Sequence, residues 1–365
     1  MILLINTITA WYEPPRARHQ LSFALAKNHR IVFIARNEIG IRKLKIERID
    51  ENITVITPYF PLGYKFRYRL PLINEIYQKW LFSKIKNITG DVVVVNFDFT
   101  AHILNTFFKR VIYYCNDEYI GNSRYPNWFT NQYHSFCENQ VIKRALFNVT
   151  TSEYLTSKLK LINSNTYKIM LGANEAKLPE EYNGFSKKTS QQIKLGLMGV
   201  INSKQISVEL INQLIEDSTL ELTIIGPVEK EFYKVIKNKD RISFTGELTG
   251  ERLLNELMNI DIGLALYNID KINPGATPNK LWQYLSVGKP VVISQLPNLD
   301  PSIFPPNSIY VYKHRRDIIK LIHLAYSDNS ENLSLARIRF SKQNSWDSRA
   351  EEFIQLLNHY LLTSH

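Results

Sequence analysis

Residues 273–294, which read NPGATPNKLWQYLSVGKPVVIS, contain the loop, helix and strand that decide the fold. Prolines and a glycine open the stretch, apolar residues then recur at helical spacing, Gly288 breaks that pattern, and the apolar run PVVIS ends it. Pro278 suits the first turn of a helix, where a missing N–H leaves nothing unpaired. Lys280 places a cation at the positive end of the helix dipole, where a bound anion would compensate it. The stretch predicts either an anion-binding helix start with Gln283 one turn further on, or a capped helix with a surface lysine.

Strands and helices of this kind alternate along the whole chain. Apolar, β-branched runs occur at 1–6, 30–35, 52–57, 91–96, 110–115, 147–151 and 167–170, and again at 193–199, 220–226, 241–246, 260–267, 290–294 and 308–312. Short buried strands separated by helices indicate parallel sheets that are covered on both faces. We therefore predict an α/β protein with two doubly wound, Rossmann-like domains facing each other across a cleft.

The predicted boundaries follow from a polar stretch between the two sets of strands. They are an N-terminal domain at 1–172, a linker at 173–190, a C-terminal domain at 191–345, and a final helix at 346–365 that could cross back to the first domain.

Composition limits the class of protein. The chain has 365 residues, of which 44% are hydrophobic and 22% charged, as in ordinary globular proteins. Its two cysteines, Cys115 and Cys137, form no disulfide framework and no metal-ligand spacing. The apolar run MILLIN is too short for a signal peptide, and no window approaches the ~18 apolar residues of a membrane span. These features predict a soluble cytoplasmic protein.

The positive charge is concentrated near the N-terminus. Formal net charge is +11, and residues 1–90 hold 15 Lys or Arg against 6 Asp or Glu. Between residues 57 and 86, aromatic rings interleave with cations: Tyr59, Phe60, Tyr64, Lys65, Phe66, Arg67, Tyr68, Arg69, Trp80, Lys84 and Lys86. This pattern fits the headgroup layer of an anionic membrane, or a core-packed loop with solvated charges. Nucleic-acid binding is disfavoured because no helix-turn-helix, zinc or RNA-binding signature accompanies the charge.

Ligands of open parallel sheets bind beyond the carboxyl ends of the strands. No GxGxxG and no GxxxxGK[ST] follows a strand here, so a phosphate site must be built in another way. In the first half, Asp117 is either a carboxylate that orients or deprotonates a hydroxyl, or a capping residue. His19 is either a base or a cap and packing residue. The candidates for contact with acceptor or phosphate are Glu13, Arg16, Arg18 and Glu118.

Several motifs resemble those of a known family. The stretches PNKLWQYLSVGKPVVIS, GLMGVINSK, LELTIIGP, ISFTGELTGERLLNELMNIDIGLALYN and NSWDSRAEEF resemble the donor-binding half of GT-B glycosyltransferases. The stretches AWYEPPRARHQLSFALAKNHRIVFIAR and RVIYYCNDEY resemble their first half more loosely. The likeness is closest to the family-four-like bacterial enzymes that build teichuronic acids, capsules and O-antigens. It implies the GT-B fold and a hexosyltransferase-type activity, retaining or inverting.

The resemblance also implies roles for individual residues. Lys280 would stabilise the leaving diphosphate, with Asp117 and His19 as the other catalytic candidates. The implied donor contacts are Gly199, Asn202, Lys204, Gly226, Pro227, Glu247, Leu248, Tyr267, Asn268, Pro278, Asn279, Lys280 and Gln283. The implied donor is a nucleotide sugar, with a UDP-sugar favoured, and neither a metal nor another cofactor is expected. The implied partners are a lipid-linked oligosaccharide and the anionic inner face of the cytoplasmic membrane, without nucleic acid.

One departure from the family pattern bears on catalysis. Retaining members carry two glutamates with seven residues between them, and these positions fall on Gly275 and Gln283 here. The amide of Gln283 can still hold ribose hydroxyls, whereas Gly275 removes a carboxylate near the donor sugar. An inactive GT-B subunit that binds a nucleotide sugar or a partner enzyme is therefore the alternative.

Overall fold

The computed structural model describes residues 1–88, 91–120, 128–174, 176–185, 192–203, 206–268, 273–275 and 277–363. The chain divides into two compact units. Unit 1 comprises Met1–Leu171, Asn273–Thr277 and Trp346–His365, and unit 2 comprises Gly172–Ile272 and Pro278–Ser345. Each unit has a sheet of mainly parallel strands with helices between them, which confirms the predicted α/β class.

The strands of unit 1 are β1 (Ile2–Asn6), β2 (Arg30–Ile34), β3 (Glu38–Ile39), β4 (Lys43–Arg48), β5 (Ile53–Phe60), β6 (Val92–Asn96), β7 (Val111–Cys115), β8 (Asn148–Thr150) and β9 (Thr166–Lys168). They are ordered β3-β5-β2-β1-β6-β7-β8-β9. The intervening helices are α1 (Ala17–Ala26), α2 (Tyr64–Arg67), α3 (Pro71–Ile85), α4 (His102–Thr106), α5 (Trp128–Arg144) and α6 (Glu153–Lys160). Strand β1 pairs in parallel with β2 and β6, and all five of its residues are buried. A continuous apolar run is therefore what this position requires.

Strand β4 is antiparallel to β5, and the sequence analysis did not predict it. Its residues KLKIER alternate polar and apolar side chains, but four of the six are exposed, Ile46 among them, as at the edge of a sheet. Asp50 Oδ1 accepts the N–H groups of Asn52 at 2.8 Å and Ile53 at 2.7 Å, which closes the turn between the two strands. The chain reverses at once, so the pairing is antiparallel.

The basic and aromatic segment at 57–86 is divided between core and surface. Arg67 is 2% exposed, and its Nη2 lies 3.0 Å from Asp98 Oδ2. The rings of Tyr68 and Tyr77 face the guanidinium at 4.7 and 4.3 Å. Phe60 and Tyr68 are 2% exposed as well, so the core-packed alternative holds for this part of the segment.

The strands of unit 2 are β10 (Ile193–Met198), β11 (Leu220–Ile225), β12 (Ile242–Gly246), β13 (Ile262–Ala265), β14 (Val291–Ser294) and β15 (Ile309–Tyr312). The helices are α7 (Val208–Glu216), α8 (Lys230–Val235), α9 (Gly250–Asn259), α10 (Asn279–Ser286), α11 (Ile318–Asp328) and α12 (Glu331–Gln343), with 3₁₀ turns at Lys239–Arg241, Pro301–Ile303 and Arg315–Asp317. All of these strands pair in parallel, in the order β12-β11-β10-β13-β14-β15. The order reverses between β10 and β13, which creates the crevice where doubly wound sheets bind ligands.

The last helix, α13 (Trp346–Thr363), belongs to unit 1. Phe353 is fully buried, and the ring of Tyr360 stacks on Phe147 with 4.9 Å between centroids. The hydroxyl groups of Tyr167 and Tyr360 are 2.8 Å apart. Across the described residues, no helix combines the length and hydropathy needed to cross a membrane.

Candidate functional site

Tyr284 fixes helix α10 beneath the switch point of unit 2. Its phenol oxygen accepts the Met198 N–H at 2.9 Å and donates to the Gly196 carbonyl at 2.8 Å. Its ring occupies the space above Gly263, where a Cβ would lie 2.3 Å from the ring. A glycine in the middle of strand β13 is the signal in the sequence for such a close approach by another group. This anchor places the first turn of α10 at the carboxyl ends of β10 and β13.

The loops that follow β10 and β11 are paired through their main chains. Gly199 has a φ of +120° and Gly226 a φ of +134°, in the region that favours glycine. A Cβ on Gly226 would lie 2.3 Å from the Gly199 carbonyl oxygen. The Gly199 N–H donates to the Ile225 carbonyl at 2.9 Å, and the Ile201 N–H donates to the Pro227 carbonyl at 2.9 Å. Glycine at 226 is therefore what allows the two loops to pack together, and the missing Cβ of Gly199 leaves space beside Lys280.

Lys280 is the cation of this site. It is the second residue of α10, and its Nζ lies 3.4 Å from the point where a Cβ on Gly199 would be. The same Nζ lies 4.9 Å from the ring centroid of Tyr267. Burial, the one cause of the shift, lowers the pKa of this ammonium to about 8, and no Asp or Glu of the described residues pairs with it. A buried ammonium without a carboxylate is arranged for an anionic ligand.

The start of α10 differs by one residue from the prediction. Pro278 is the N-cap of the helix rather than its first helical residue, and no described side chain caps the first turn. Asn279 is therefore the first helical residue, and it is partly buried. Within the described residues, Gln283 Oε1 is buried without a hydrogen-bond partner. Both features leave polar groups at the helix start for a ligand.

Ser294 ties together the loops after β13 and β14. Its Oγ accepts the Tyr267 N–H at 2.7 Å and donates to the Tyr267 carbonyl at 3.0 Å. Asn268, the next residue, is partly buried. The sequence analysis did not single out Ser294, although a serine that ends an apolar strand is the kind of residue that holds such a loop.

The remaining donor candidates lie in the loops after β10, β11 and β12. Pro227 and Glu247 are exposed, and Leu248 is partly buried in the loop that leads into α9. An isolated bridge joins the loops after β11 and β12. Asn202 is partly buried, and its carbonyl accepts the Ile206 N–H at 3.0 Å. Lys204 lies outside the described residues. The described candidates thus lie at the carboxyl ends of the unit 2 strands.

Unit 1 contains a basic cavity of about 420 Å³ at the carboxyl ends of β1, β2 and β7. Its charged lining residues are Glu13, Arg16, Arg18, Arg36, Lys65, Arg69 and Asp117. Arg16 Nε pairs with Glu13 Oε1 at 2.7 Å, and Arg36 Nη1 lies 3.7 Å from Glu13 Oε2. Tyr64 and Tyr119 contribute aromatic walls. Three of the four phosphate candidates from the sequence analysis are therefore brought together here.

His19 is a capping residue in this structure. It is 1% exposed, its Nδ1 accepts the Arg16 N–H at 3.1 Å, and its Nε2 donates to the Ala10 carbonyl at 3.0 Å. Burial lowers its pKa, which favours the neutral ring that these two contacts require. Because both ring nitrogens are engaged, the general-base hypothesis for His19 does not fit, and the cap-and-packing alternative does.

Asp117 and Glu118 have different surroundings. Asp117 lines the cavity, and its Oδ1 accepts Asn273 Nδ2 at 2.7 Å and the Glu118 N–H at 2.9 Å. Glu118 is buried, and its Oε1 accepts Lys158 Nζ at 2.6 Å, while the same ammonium lies 3.2 Å from Glu138 Oε2. Glu118 is therefore part of a buried ion-pair network rather than a contact for an acceptor. Asp117 remains the carboxylate at the cavity.

Comparisons with known proteins agree with this geometry. Residues 204–355 match the family described as "Glycosyl transferase-like", a range that covers most of unit 2 but less than half of the chain. Sucrose-phosphate synthase from Thermosynechococcus elongatus has a similar structure, with a TM-score of 0.73 and 12% identity over 100% of this chain and 99% of that one. No curated protein sequence matches the chain.

Two further solved structures are similar to this chain. WaaG, a glycosyltransferase involved in lipopolysaccharide biosynthesis, has a TM-score of 0.64 and 12% identity over 96% of this chain and 98% of its own. Anabaena Alr3699/HepE in complex with UDP has a TM-score of 0.64 and 11% identity over 98% and 99% of the two chains. The fold is GT-B. At such low identity the likeness establishes the fold alone, and the strand order of unit 2 is that of a doubly wound sheet.

Gly275, to which the sequence analysis assigned the first glutamate position of retaining members, is closely packed. Its N–H donates to Asn273 Oδ1 at 2.8 Å. A Cβ here would lie 3.1 Å from the Cβ of Glu118 and 3.1 Å from Cδ2 of Leu155. These are close contacts, so a larger side chain would require its neighbours to move. The absence of the carboxylate is thus matched by the packing around it.

Proposed function

We propose that this protein is a glycosyltransferase that moves a sugar from a nucleotide-sugar donor to a lipid-linked glycan acceptor in cell-surface polysaccharide assembly. A UDP-sugar is the favoured donor, and no metal takes part. The single observation that carries the proposal is the buried ammonium of Lys280 at the start of α10, which pairs with no carboxylate of the described residues. The GT-B fold and the glycosyl transferase-like match at residues 204–355 support a transferase.

On the donor side, the mechanism depends on stabilising the negative charge of the leaving diphosphate. Negative charge develops on the diphosphate as the bond to the sugar breaks, and fixed N–H groups with an ammonium stabilise it. Lys280 and the uncapped first turn of α10 provide these groups. Gln283 would use its unpaired Oε1 to accept a hydrogen bond from a ribose hydroxyl. Gly199, whose missing Cβ leaves space beside Lys280 Nζ, would let the backbone approach the phosphates.

The acceptor half of the mechanism concerns Asp117. Its carboxylate lines the cavity of unit 1, and Asn273 holds one of its oxygens. We assign to Asp117 the orientation or deprotonation of the acceptor hydroxyl. Replacement of Asp117 by Asn should lower kcat by at least about 100-fold, the usual contribution of a general base, without weakening donor binding.

Contact with the inner face of the cytoplasmic membrane completes the proposal. Phe66, Leu70 and Leu72 are 54%, 46% and 68% exposed, and the cations Lys65 and Arg69 lie beside them on and just after α2. Exposed apolar side chains flanked by cations suit an anionic lipid surface. The chain should sediment with vesicles containing phosphatidylglycerol but not with pure phosphatidylcholine vesicles. The double variant Phe66→Ser and Leu72→Ser should lose that binding.

The test of the activity has two stages. A thermal-shift screen over UDP-, GDP-, ADP- and dTDP-sugars identifies the donor, because a ligand that binds the native state raises its apparent stability. Release of nucleotide from that donor is then followed with and without a lipid-linked acceptor. Acceptor-dependent release supports the transferase, and no stabilisation by any nucleotide sugar would contradict it.

The second candidate is an inactive GT-B subunit that binds a nucleotide sugar or a partner enzyme. Gly275 favours it, because the carboxylate of the family pattern is missing and its space is occupied. This candidate predicts stabilisation by a nucleotide sugar without turnover in the presence of any acceptor. The same two-stage experiment therefore separates the two functions.

A further inference from the structure

We propose that the basic cavity of unit 1 is a phosphate site, with Arg18 as its main contact, which recognises a phosphate or diphosphate group on the acceptor. The inference rests on the proposed function, since it names the chemical class of the acceptor for that activity.

Arg18 is the observation that points to a ligand. Its side chain lines the cavity although the residue is only 5% exposed. Its Nε and Nη1 are buried and have no hydrogen-bond partner among the described residues. The ring of Phe97 lies 5.9 Å from its guanidinium carbon. A guanidinium in such surroundings carries a desolvation cost that an anion in the cavity would offset.

The charge balance of the lining favours phosphate. Five cations face two carboxylates, and one of those carboxylates, Glu13, is already engaged by Arg16 at 2.7 Å. Within the described residues, Arg18, Lys65 and Arg69 form no ion pair. A phosphate monoester carries about −1.5 to −2 charge at neutral pH, and a diphosphate carries more. A ligand with a single carboxylate would neutralise less of the positive charge of this lining. A guanidinium group also binds two phosphate oxygens at once, through two parallel hydrogen bonds.

The size and position of the cavity connect this site to the reaction. A volume of about 420 Å³ lies within the range of small-molecule sites and can hold a sugar phosphate. Asp117 lines the same cavity, so a phosphate at Arg18 would position the rest of the acceptor near that carboxylate. Lys65 and Arg69 flank the exposed side chain of Phe66, which suits a phosphate carried on a lipid. A free sugar phosphate presents the same chemical group.

The experiment uses the full chain and isothermal titration with four probes: farnesyl diphosphate, glucose 6-phosphate, glucuronate and glucose. We expect one or both phosphate probes to bind, and Arg18→Gln to weaken that binding at least tenfold. Arg30→Gln makes the same charge change at an exposed arginine outside the cavity, and it should leave the affinity within twofold. Arg69→Gln, at an exposed lining position, is a second variant and should weaken binding as well.

Each result of these titrations either supports or overturns the inference. Binding of farnesyl diphosphate identifies a lipid-linked acceptor, binding of glucose 6-phosphate alone identifies a free sugar phosphate, and either supports the inference when it depends on Arg18. The inference is overturned if both phosphate probes fail to bind, if glucuronate binds in their place, or if Arg18→Gln binds as tightly as the wild type. UDP binding is measured in parallel, and Arg18→Gln should leave it unchanged. If the wild-type protein does not bind UDP, that result counts against the proposed function instead.

Discussion

The buried ammonium of Lys280 predicts an uptake of protons when a nucleotide binds. Burial lowers its pKa to about 8, so at pH 8 about half of the molecules carry a neutral amine at this position. A diphosphate beside the amine favours the charged form and raises its pKa. Binding of UDP at pH 8 should therefore take up about 0.5 proton per site, and the uptake by this amine should fall to about 0.1 proton at pH 7, where the ammonium is mostly charged already.

Isothermal titration in two buffers of different ionisation enthalpy measures this uptake directly. The observed enthalpy changes with the ionisation enthalpy of the buffer, and the slope is the number of protons exchanged. UDP itself contributes little at pH 8, because the second pKa of its terminal phosphate is about 6. Lys280→Arg keeps the charge but does not titrate in this range, so its slope should be near zero while binding is largely kept.

Removal of the Lys280 charge shows how much the ammonium contributes to the affinity for UDP. A hydrogen bond to a charged group contributes about 1.5–3 kcal/mol, so Lys280→Met should weaken UDP binding by roughly 10- to 150-fold. The same substitution should raise the free energy of unfolding of the unliganded protein at neutral pH. The folded-state pKa is below the unfolded value, so the charge destabilises the fold fully below pH 8 and ceases to do so above about pH 10.5. Lys280→Met should thus be the more stable protein at pH 7. A zero slope in the wild type at pH 8, or unchanged affinity in Lys280→Met, would refute this reasoning.

Three further predictions concern the anchors of the fold. Tyr284→Phe removes the buried phenol that bonds to two strands and should lower the free energy of unfolding by about 1–3 kcal/mol in urea titrations, whereas an unchanged value would show that the anchor contributes nothing. His19→Gln should lower Tm but leave the acid limb of the pH–rate profile in place, and loss of that limb would restore His19 as a base. Asp98→Asn leaves Arg67 buried without its carboxylate and should destabilise the chain by about 3–5 kcal/mol, so a loss below about 1 kcal/mol would contradict the importance of that ion pair.

The sheets were predictable because their strands are buried on both faces. Runs such as VVVV in β6 and VVI in β14 have few alternatives to a buried strand, and their alternation with helices indicates parallel pairing. Strand β4 was missed because its alternating charges resemble a solvated loop, although a period of two was present. The return of α13 to unit 1 depends on contacts such as that of Tyr360 with Phe147, which are distant in the sequence and have no local pattern.

The sequence predicts where some candidate residues lie, while their part in ligand binding stays a prediction. Gly199, Gly226 and Lys280 follow from the rule that ligands bind at strand ends and helix starts. The sequence left two roles open for His19 and did not predict the role of Arg67, which depends on a partner from a distant part of the chain. Arg67 pairs with Asp98, which is 31 residues away, and a basic, aromatic segment gives no indication of which arginine is buried. Arg18 differs from Arg16 in being buried and in forming no ion pair within the described residues, and periodicity alone reveals neither difference.

The central claim is that unit 2 binds a diphosphate at the start of α10. A crystal structure of the full chain with UDP tests it most directly. We expect the diphosphate within hydrogen-bond distance of Lys280 Nζ and the first N–H groups of α10, close to the backbone of Gly199. A diphosphate bound away from α10 would contradict the claim, and so would a site that stays empty at a UDP concentration that saturates binding in solution.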